Sequence, residues 1–236
     1  MGSWRWLPLT LCACGRLGFD PVSDGQGDDG QGDDGVQQSG CNGVAGLLLC
    51  DGFEPTTTVA WQALTGNGTA QMSTERPHRG TRSLRAEGIT GRTAAFFRAP
   101  ITTVSSGEIH LRAYINRPAA SSAIDMLLAR VGDGIANSEF FGIANGANPG
   151  VSSGASSNFA PPALAPDTWV CMEMHVVGSQ IALDLDGAEK MRIVLDAFGP
   201  YSEVAFGLVA DIGSPDQLLI FVDDVIAATQ PIGCVP

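Results

Sequence analysis

From Val44 onward, apolar and polar residues alternate with a period of two, broken roughly every eight to twelve residues by Gly, Pro, Asn or Asp. Period two is the repeat of an extended chain, whose successive side chains point to opposite faces of a sheet. In Glu108–Ile115, Ile109, Leu111, Ala113 and Ile115 fall on one face and Glu108, His110, Arg112 and Tyr114 on the other. In Trp169–Val177, Val170, Met172, Met174 and Val176 oppose Trp169, Cys171, Glu173 and His175. Each segment predicts a strand with one face on a core and one face wet. Ile181, Leu183 and Leu185 share a face, Asp186-Gly187 supplies a two-residue turn, and Met191, Ile193 and Leu195 return on the inner face, which predicts a hairpin. Leu218–Ile226 is apolar on both faces and is predicted to be central or covered. No long helical stripe competes. The expected fold is all-β, a two-sheet antiparallel β-sandwich (jelly roll) formed by residues 44–236 as one domain.

The N-terminal residues follow a different pattern. Arg5 precedes the short apolar run Trp6–Ala13, which reads as a signal peptide over residues 1–13. Leu11-Cys12-Ala13-Cys14 resembles the lipobox of bacterial lipoproteins. That resemblance implies that Cys14 carries the lipid and that, with Gly15 behind it, the protein reaches the outer membrane or cell surface. An ordinary cleaved signal or a mis-set start codon is the alternative. Residues 14–43 are rich in Gly, Asp, Gln and Ser and repeat Gly-Gln-Gly-Asp-Asp between Gly25 and Asp34, so they predict a disordered acidic linker. The chain contains no apolar run long enough to span a bilayer, which leaves the lipid as the expected membrane contact.

Charge narrows the partners. A formal net charge of -12 and a single lysine, Lys190, argue against nucleic acid, whose phosphates demand clustered positive charge. The stretch from Arg76 to Arg130 is the one basic region. It would suit an anionic glycan, but strand arginines paired with neighbouring acids are the favoured reading.

Cys50-Asp-Gly-Phe-Glu54 with Trp61, His78-Arg-Gly-Thr-Arg-Ser-Leu-Arg85, Trp169-Val-Cys-Met-Glu173, Leu185-Asp-Gly187 and Ile220-Phe-Val-Asp-Asp-Val225 follow in this order. Together they resemble the concanavalin A-like, laminin-G-like jelly-roll superfamily over nearly the whole domain. The resemblance implies two curved sheets with ligands on the concave face, in a family that spans carbohydrate-binding modules, lectins, glucanases and polysaccharide lyases. It also implies antiparallel first and last strands with Glu54 opposite Asp223, so that paired positions sum to about 277. On that register, Cys41 is expected to bond Cys234, and Cys50 to bond Cys171. The family's structural calcium, where the terminal strands meet, implies Glu54 and Asp223 as ligands with Asp51 and Asp224 close by. Turn capping or pairing with arginine is the other reading of these acids.

If the wet faces of the two alternating strands coincide, His110, Arg112, Tyr114, Trp169, Glu173 and His175 make a polar patch with an aromatic platform suited to a sugar. A solvated sheet face without a ligand shows the same alternation. A retaining glucanase needs two closely spaced carboxylates on one strand face; the nearest pair is Asp184 and Asp186, and Asp186 belongs to a turn. By resemblance to jelly-roll lyases, His110, Tyr114 or Tyr201, and Arg85 are candidates for base, acid and carboxylate neutraliser, although the matching motifs are incomplete. Nucleophilic triads, zinc-ligand spacings and phosphate-binding glycine loops are absent. The sequence therefore favours a lipid-anchored, surface-exposed, non-catalytic module for carbohydrate or extracellular matrix, with no catalytic residue assigned. The alternatives are a lyase-like enzyme on uronate glycans and a structural envelope lipoprotein with no glycan ligand.

Overall fold

The computed structural model describes residues 41–88, 91–121, 125–133, 138–144, 146–154, 156–195, 198–212 and 217–234, with backbone alone at 91, 92, 211 and 212. Cys14, the signal peptide and the acidic linker up to residue 40 lie outside the described residues. No described helix is long and apolar enough to cross a membrane.

The period-two segments form the strands they predict. In chain order these are β1 (Leu47–Asp51), β2 (Gln62–Gly66), β3 (Gly68–Ser73), β4 (Ser83–Gly88), β5 (Gly91–Val104), β6 (Glu108–Asn116), β7 (Met126–Gly132) and β8 (Ser138–Ala144). They continue with β9 (Asn148–Ser153), β10 (Ser156–Phe159), β11 (Trp169–Val177), β12 (Gln180–Leu185), β13 (Ala188–Val194), β14 (Tyr201–Ile212) and β15 (Leu218–Ala228). One sheet runs β13-β12-β11-β6-β15-β4-β3, with β1 added to the second half of β15; the other runs β10-β9-β8-β7-β14-β5-β2. Every pairing among them is antiparallel, giving the expected jelly-roll-like β-sandwich.

The core lies between the sheets. Ile109, Leu111, Ile115, Met172, Met174, Ile220 and Val222 pack from the first sheet onto Met126, Phe141, Ile143, Val204, Phe206 and Leu208 of the second. The twice-apolar segment is central, since β15 is flanked by β6 on one edge and by β4 and then β1 on the other. The hairpin also forms: Asp186 and Gly187 both take positive φ, 48° and 81°, as a type I′ turn between β12 and β13 requires. Trp61 joins the core edge against Phe53, Phe97 and Phe206.

The cysteines pair differently from the expectation of Cys41 with Cys234 and Cys50 with Cys171. The disulfides are Cys41–Cys50 and Cys171–Cys234, with Cα separations of 5.8 and 5.9 Å. The terminal strands are antiparallel as expected, but their ladder pairs Cys50 with Ile226 and Asp51 with Val225, one residue from the anticipated register, and stops at Leu47 and Ala228. Beyond it the chain ends diverge. Residues 41–46 turn back onto β1, while residues 229–234 leave the strand and cross β6 to reach β11. Two disulfides fit an oxidising compartment, consistent with export.

Candidate functional site

Strands β6 and β11 are direct neighbours, with Arg112 opposite Glu173, His110 opposite His175 and Tyr114 opposite Cys171. Antiparallel pairing puts these side chains on the outward face of the first sheet, so His110, Arg112, Tyr114, Glu173 and His175 do come together, with Trp169 at the end of the row. That face is not wet. His110, Arg112 and Glu173 are buried, because the C-terminal tail lies over them.

The tail is held at each step. Thr229 N–H donates to Gly46 O at 2.9 Å, and Gln230 Nε2 donates to Glu108 Oε1 at 3.2 Å. Ile232 N–H donates to Glu173 Oε1 at 3.0 Å and Gly233 N–H to Glu173 Oε2 at 2.7 Å, while Arg112 Nη1 donates to Gly233 O at 2.9 Å. Cys234 then bonds Cys171. An acceptor and a donor facing each other on neighbouring strands thus clamp both sides of one tail segment. At the other end of the row, the His78 ring stacks on Tyr114 with centroids 3.9 Å apart and lies 5.4 Å from Trp169. The aromatic platform anticipated for a sugar is occupied by the protein.

Under the tail sits a cluster of ionisable groups. Glu173 Oε1 lies 3.5 Å from His110 Nδ1 and 3.3 Å from His175 Nε2, and His175 Nε2 lies 3.5 Å from Asp184 Oδ2. His110 Nε2 is 3.2 Å from Glu108 Oε2. Burial opposes ionisation of Glu173, but the His110 and His175 rings and the Ile232 amide outweigh it and hold the carboxyl well below the usual range. Burial likewise disfavours a charged His175, yet Glu173 and Asp184 win and raise its pKa. Asp184 is pushed up by burial. One ligand atom from each of His110, Glu173 and His175 falls within 4.8 Å of the others, so this cluster could hold a metal ion.

Glu54 and Asp223, the expected calcium ligands, both hold the loop between β3 and β4. Glu54 Oε1 accepts from Thr81 N–H at 2.7 Å and Arg82 N–H at 3.1 Å, and Oε2 accepts from Thr81 Oγ1 at 2.6 Å. Asp223 Oδ2 accepts from His78 N–H at 2.8 Å and Arg79 N–H at 3.4 Å. A bulge in β15 after Asp223, with Asp224 at φ 45°, interrupts the alternation and turns Asp224 Oδ2 to His78 Nδ1 at 2.7 Å. Burial and the adjacent Asp224 push Asp223 up to about 8. Asp51 instead accepts from Phe53 N–H and Trp61 Nε1–H, fixing the chain after β1.

The candidates for lyase chemistry do not form one site. His110 and Tyr114 are buried on the first sheet, and Arg85, on β4 of the same sheet, is paired with Glu87 and Glu75. Tyr201 belongs to the second sheet, where its hydroxyl donates to Glu139 Oε1 at 3.3 Å and burial raises its pKa.

The second sheet carries an arrangement that the sequence reading passed over. Cross-strand register places Gln62, Arg98, Ala205, Arg130, Phe140, Ser152 and Ser157 in one continuous row across β2, β5, β14, β7, β8, β9 and β10. Glu203 binds both arginines, at 3.3 Å from Arg98 Nη1 and through Oε1 to Arg130 Nη2. Arg98's side chain is 38% exposed, and Gln62 and Ser157 at the ends of the row are exposed. The available signal was an arginine inside otherwise apolar strands, Phe97-Arg98-Ala99 and Ala129-Arg130-Val131. Their meeting through Glu203, far along the chain, was not legible locally.

No family model and no curated protein match the chain. Solved structures do match its fold. The cellulose-induced protein Cip1 aligns with a TM-score of 0.63 at 19% identity, over 79% of this chain and 100% of that one. An endo-β-1,4-glucuronan lyase from the fungus Trichoderma reesei aligns at 0.56 and 11%, over 78% and 96%. The alginate lyase AlgAT5 of polysaccharide lyase family 7 aligns at 0.50 and 9%, over 62% and 77%. At these identities the likeness is one of fold alone.

Proposed function

We propose that this domain is a non-catalytic, concanavalin A-like carbohydrate-binding module, displayed outside the cell by a lipid on Cys14, that takes an acidic glycan on the outer face of the second sheet. The row of polar and aromatic side chains through Arg98 and Arg130 carries the proposal. Two guanidiniums sharing one carboxylate keep N–H donors for a second carboxylate, the group that distinguishes a uronate from a neutral sugar. Phe140 supplies an apolar surface in the same row and Ser152, Ser157 and Gln62 supply hydroxyl-matching groups. The histidines and tyrosines that a lyase would recruit lie elsewhere, on the first sheet and its loops or, for Tyr201, in the core.

Glucuronan and alginate name the substrates of two similar folds, so their oligosaccharides are the first ligands to titrate by calorimetry. Arg98→Ala and Arg130→Ala should each weaken binding about tenfold or more, the worth of one charge-assisted hydrogen bond. Unsaturated products detected by ultraviolet absorbance, and abolished by His110→Ala, would replace this reading with a lyase. An array with no bound glycan would replace it with a structural envelope protein. Calcium at Glu54 and Asp223 remains a proposal, supported by two carboxylates converging on one loop and by the ionisation cost of buried Asp223 beside Asp224. Added calcium should raise the melting temperature and chelator should lower it; an unchanged melt would leave both carboxylates serving the loop amides alone.

A further inference from the structure

We infer that His110, Glu173 and His175 form a binding site for a zinc-class divalent ion beneath the C-terminal tail, with Asp184 beside it as the carboxylate able to complete the shell. Three buried atoms able to ligate a metal lack hydrogen-bond partners. His110 is 1% exposed, yet its Nδ1 makes no hydrogen bond, and the buried Nε2 of His175 and Oδ1 of Asp184 make none either. Such atoms are costly unless something meets them. These two imidazole nitrogens lie beside Glu173 Oε1, at 3.5 and 3.3 Å. A tetrahedral ion with bonds near 2.0–2.1 Å sets its ligand atoms roughly 3.3–3.4 Å apart; the two distances to Glu173 match that spacing, and all three ligand atoms lie within 4.8 Å of one another.

The surroundings match. Imidazole and carboxylate donors suit zinc and its neighbours, whereas calcium prefers oxygen throughout. Glu108 Oε2, 3.2 Å from His110 Nε2, directs that proton outward and leaves Nδ1 facing the cluster, the outer carboxylate contact common to metal-bound histidine. Glu173 is oriented by the Ile232 and Gly233 amides. Three carboxylates, Glu108, Glu173 and Asp184, surround two imidazoles, so a divalent ion relieves a local excess of negative charge. Access is from the His175 side, where that side chain is 23% exposed. The ion would tie β6, β11 and, through Glu173, the tail into one unit, a role independent of glycan binding on the other sheet.

The test uses the full-length protein purified without a histidine tag and stripped with chelator, titrated with zinc against a chromogenic competitor. One zinc per chain is expected, with affinity falling about tenfold or more in His175→Gln and in Glu173→Gln, and unchanged in His78→Gln. Imidazole nitrogen NMR of the unsubstituted protein reads the ligands without any variant. Zinc should move His110 Nδ1 and His175 Nε2 and leave His78 in place. No saturable binding, or binding that shifts His78 while His110 and His175 stay still, overturns the site.

Discussion

Glu173 has both carboxylate oxygens on backbone amides of the tail and two imidazoles against one of them, and it is itself buried, as is His110. Replacing it by Gln keeps the volume but removes the charge that each of those donors meets. Glu173→Gln should therefore cost about 2–4 kcal/mol in metal-free protein, measured by denaturant unfolding. The penalty should depend on pH in a definite direction. Glu173 has a folded pKa below its ordinary 4.5, so its contribution is full above about pH 4.5 and fades as pH falls through the folded value. His175 has a folded pKa above its ordinary 6.5, so its contribution is full below about pH 6.5 and fades as pH rises through the folded value. The difference between wild type and variant should thus be greatest between about pH 4.5 and 6.5. A penalty that did not vary with pH would mean that the loss comes from a missing acceptor oxygen and not from charge. The alternation of β11 was enough to place Glu173 and His175 on one face; it carried no sign that this face was covered, because the covering residues lie 59 and 60 positions away.

Two elements owe their form to single positions. Strand β14 bulges against β7 between Phe206 and Val209, and Gly207 there has φ 142°. A Cβ on Gly207 would lie 2.1 Å from Ala95 O and 2.8 Å from Phe96 Cα on the neighbouring strand, backbone that cannot step aside. Gly207→Ala should cost about 2–4 kcal/mol, readable as a lowered denaturation midpoint, and an unchanged midpoint would refute the close approach. An isolated glycine inside a strand pattern is a sequence signal of such a bulge, so this feature was legible in kind although its partner strand was not. The C-terminal tail depends on Cys171–Cys234, which spans 63 positions and removes roughly 4 kcal/mol of unfolded-chain entropy, against roughly 3 kcal/mol for the nine positions of Cys41–Cys50. Cys234→Ser should therefore destabilise more than Cys41→Ser and should open the tail to limited proteolysis after Ala228. A Cys234→Ser tail as resistant to proteolysis as the wild-type one would show that Glu173 and Arg112 hold it without the covalent link.

Across the whole molecule the two outer faces differ in what occupies them. The first sheet has its centre closed by the tail and by the His78 loop. The second carries the Arg98–Glu203–Arg130 cluster, in which the Arg98 side chain is partly exposed. Because the faces are separated by the core, releasing the tail with Cys234→Ser should leave glycan affinity unaltered, while Arg98→Ala should lower it with little effect on stability. Glycan affinity that instead changed with the tail would move the binding surface to the first sheet.

What the chain determined locally was the extended period, the Asp186-Gly187 turn, the centrality of β15 and which residues of β6 and β11 share a face. Each follows from side-chain direction along a strand, a property of neighbours in sequence. Only the tertiary structure decided the disulfide pairing, the closing of one sheet face and the meeting of Arg98, Arg130 and Glu203. These depend on where the chain goes after a strand ends, and on a one-residue register and a bulge that shift every later side chain. A period of two fixes a face, but which distant segment lies against that face is set by long-range packing.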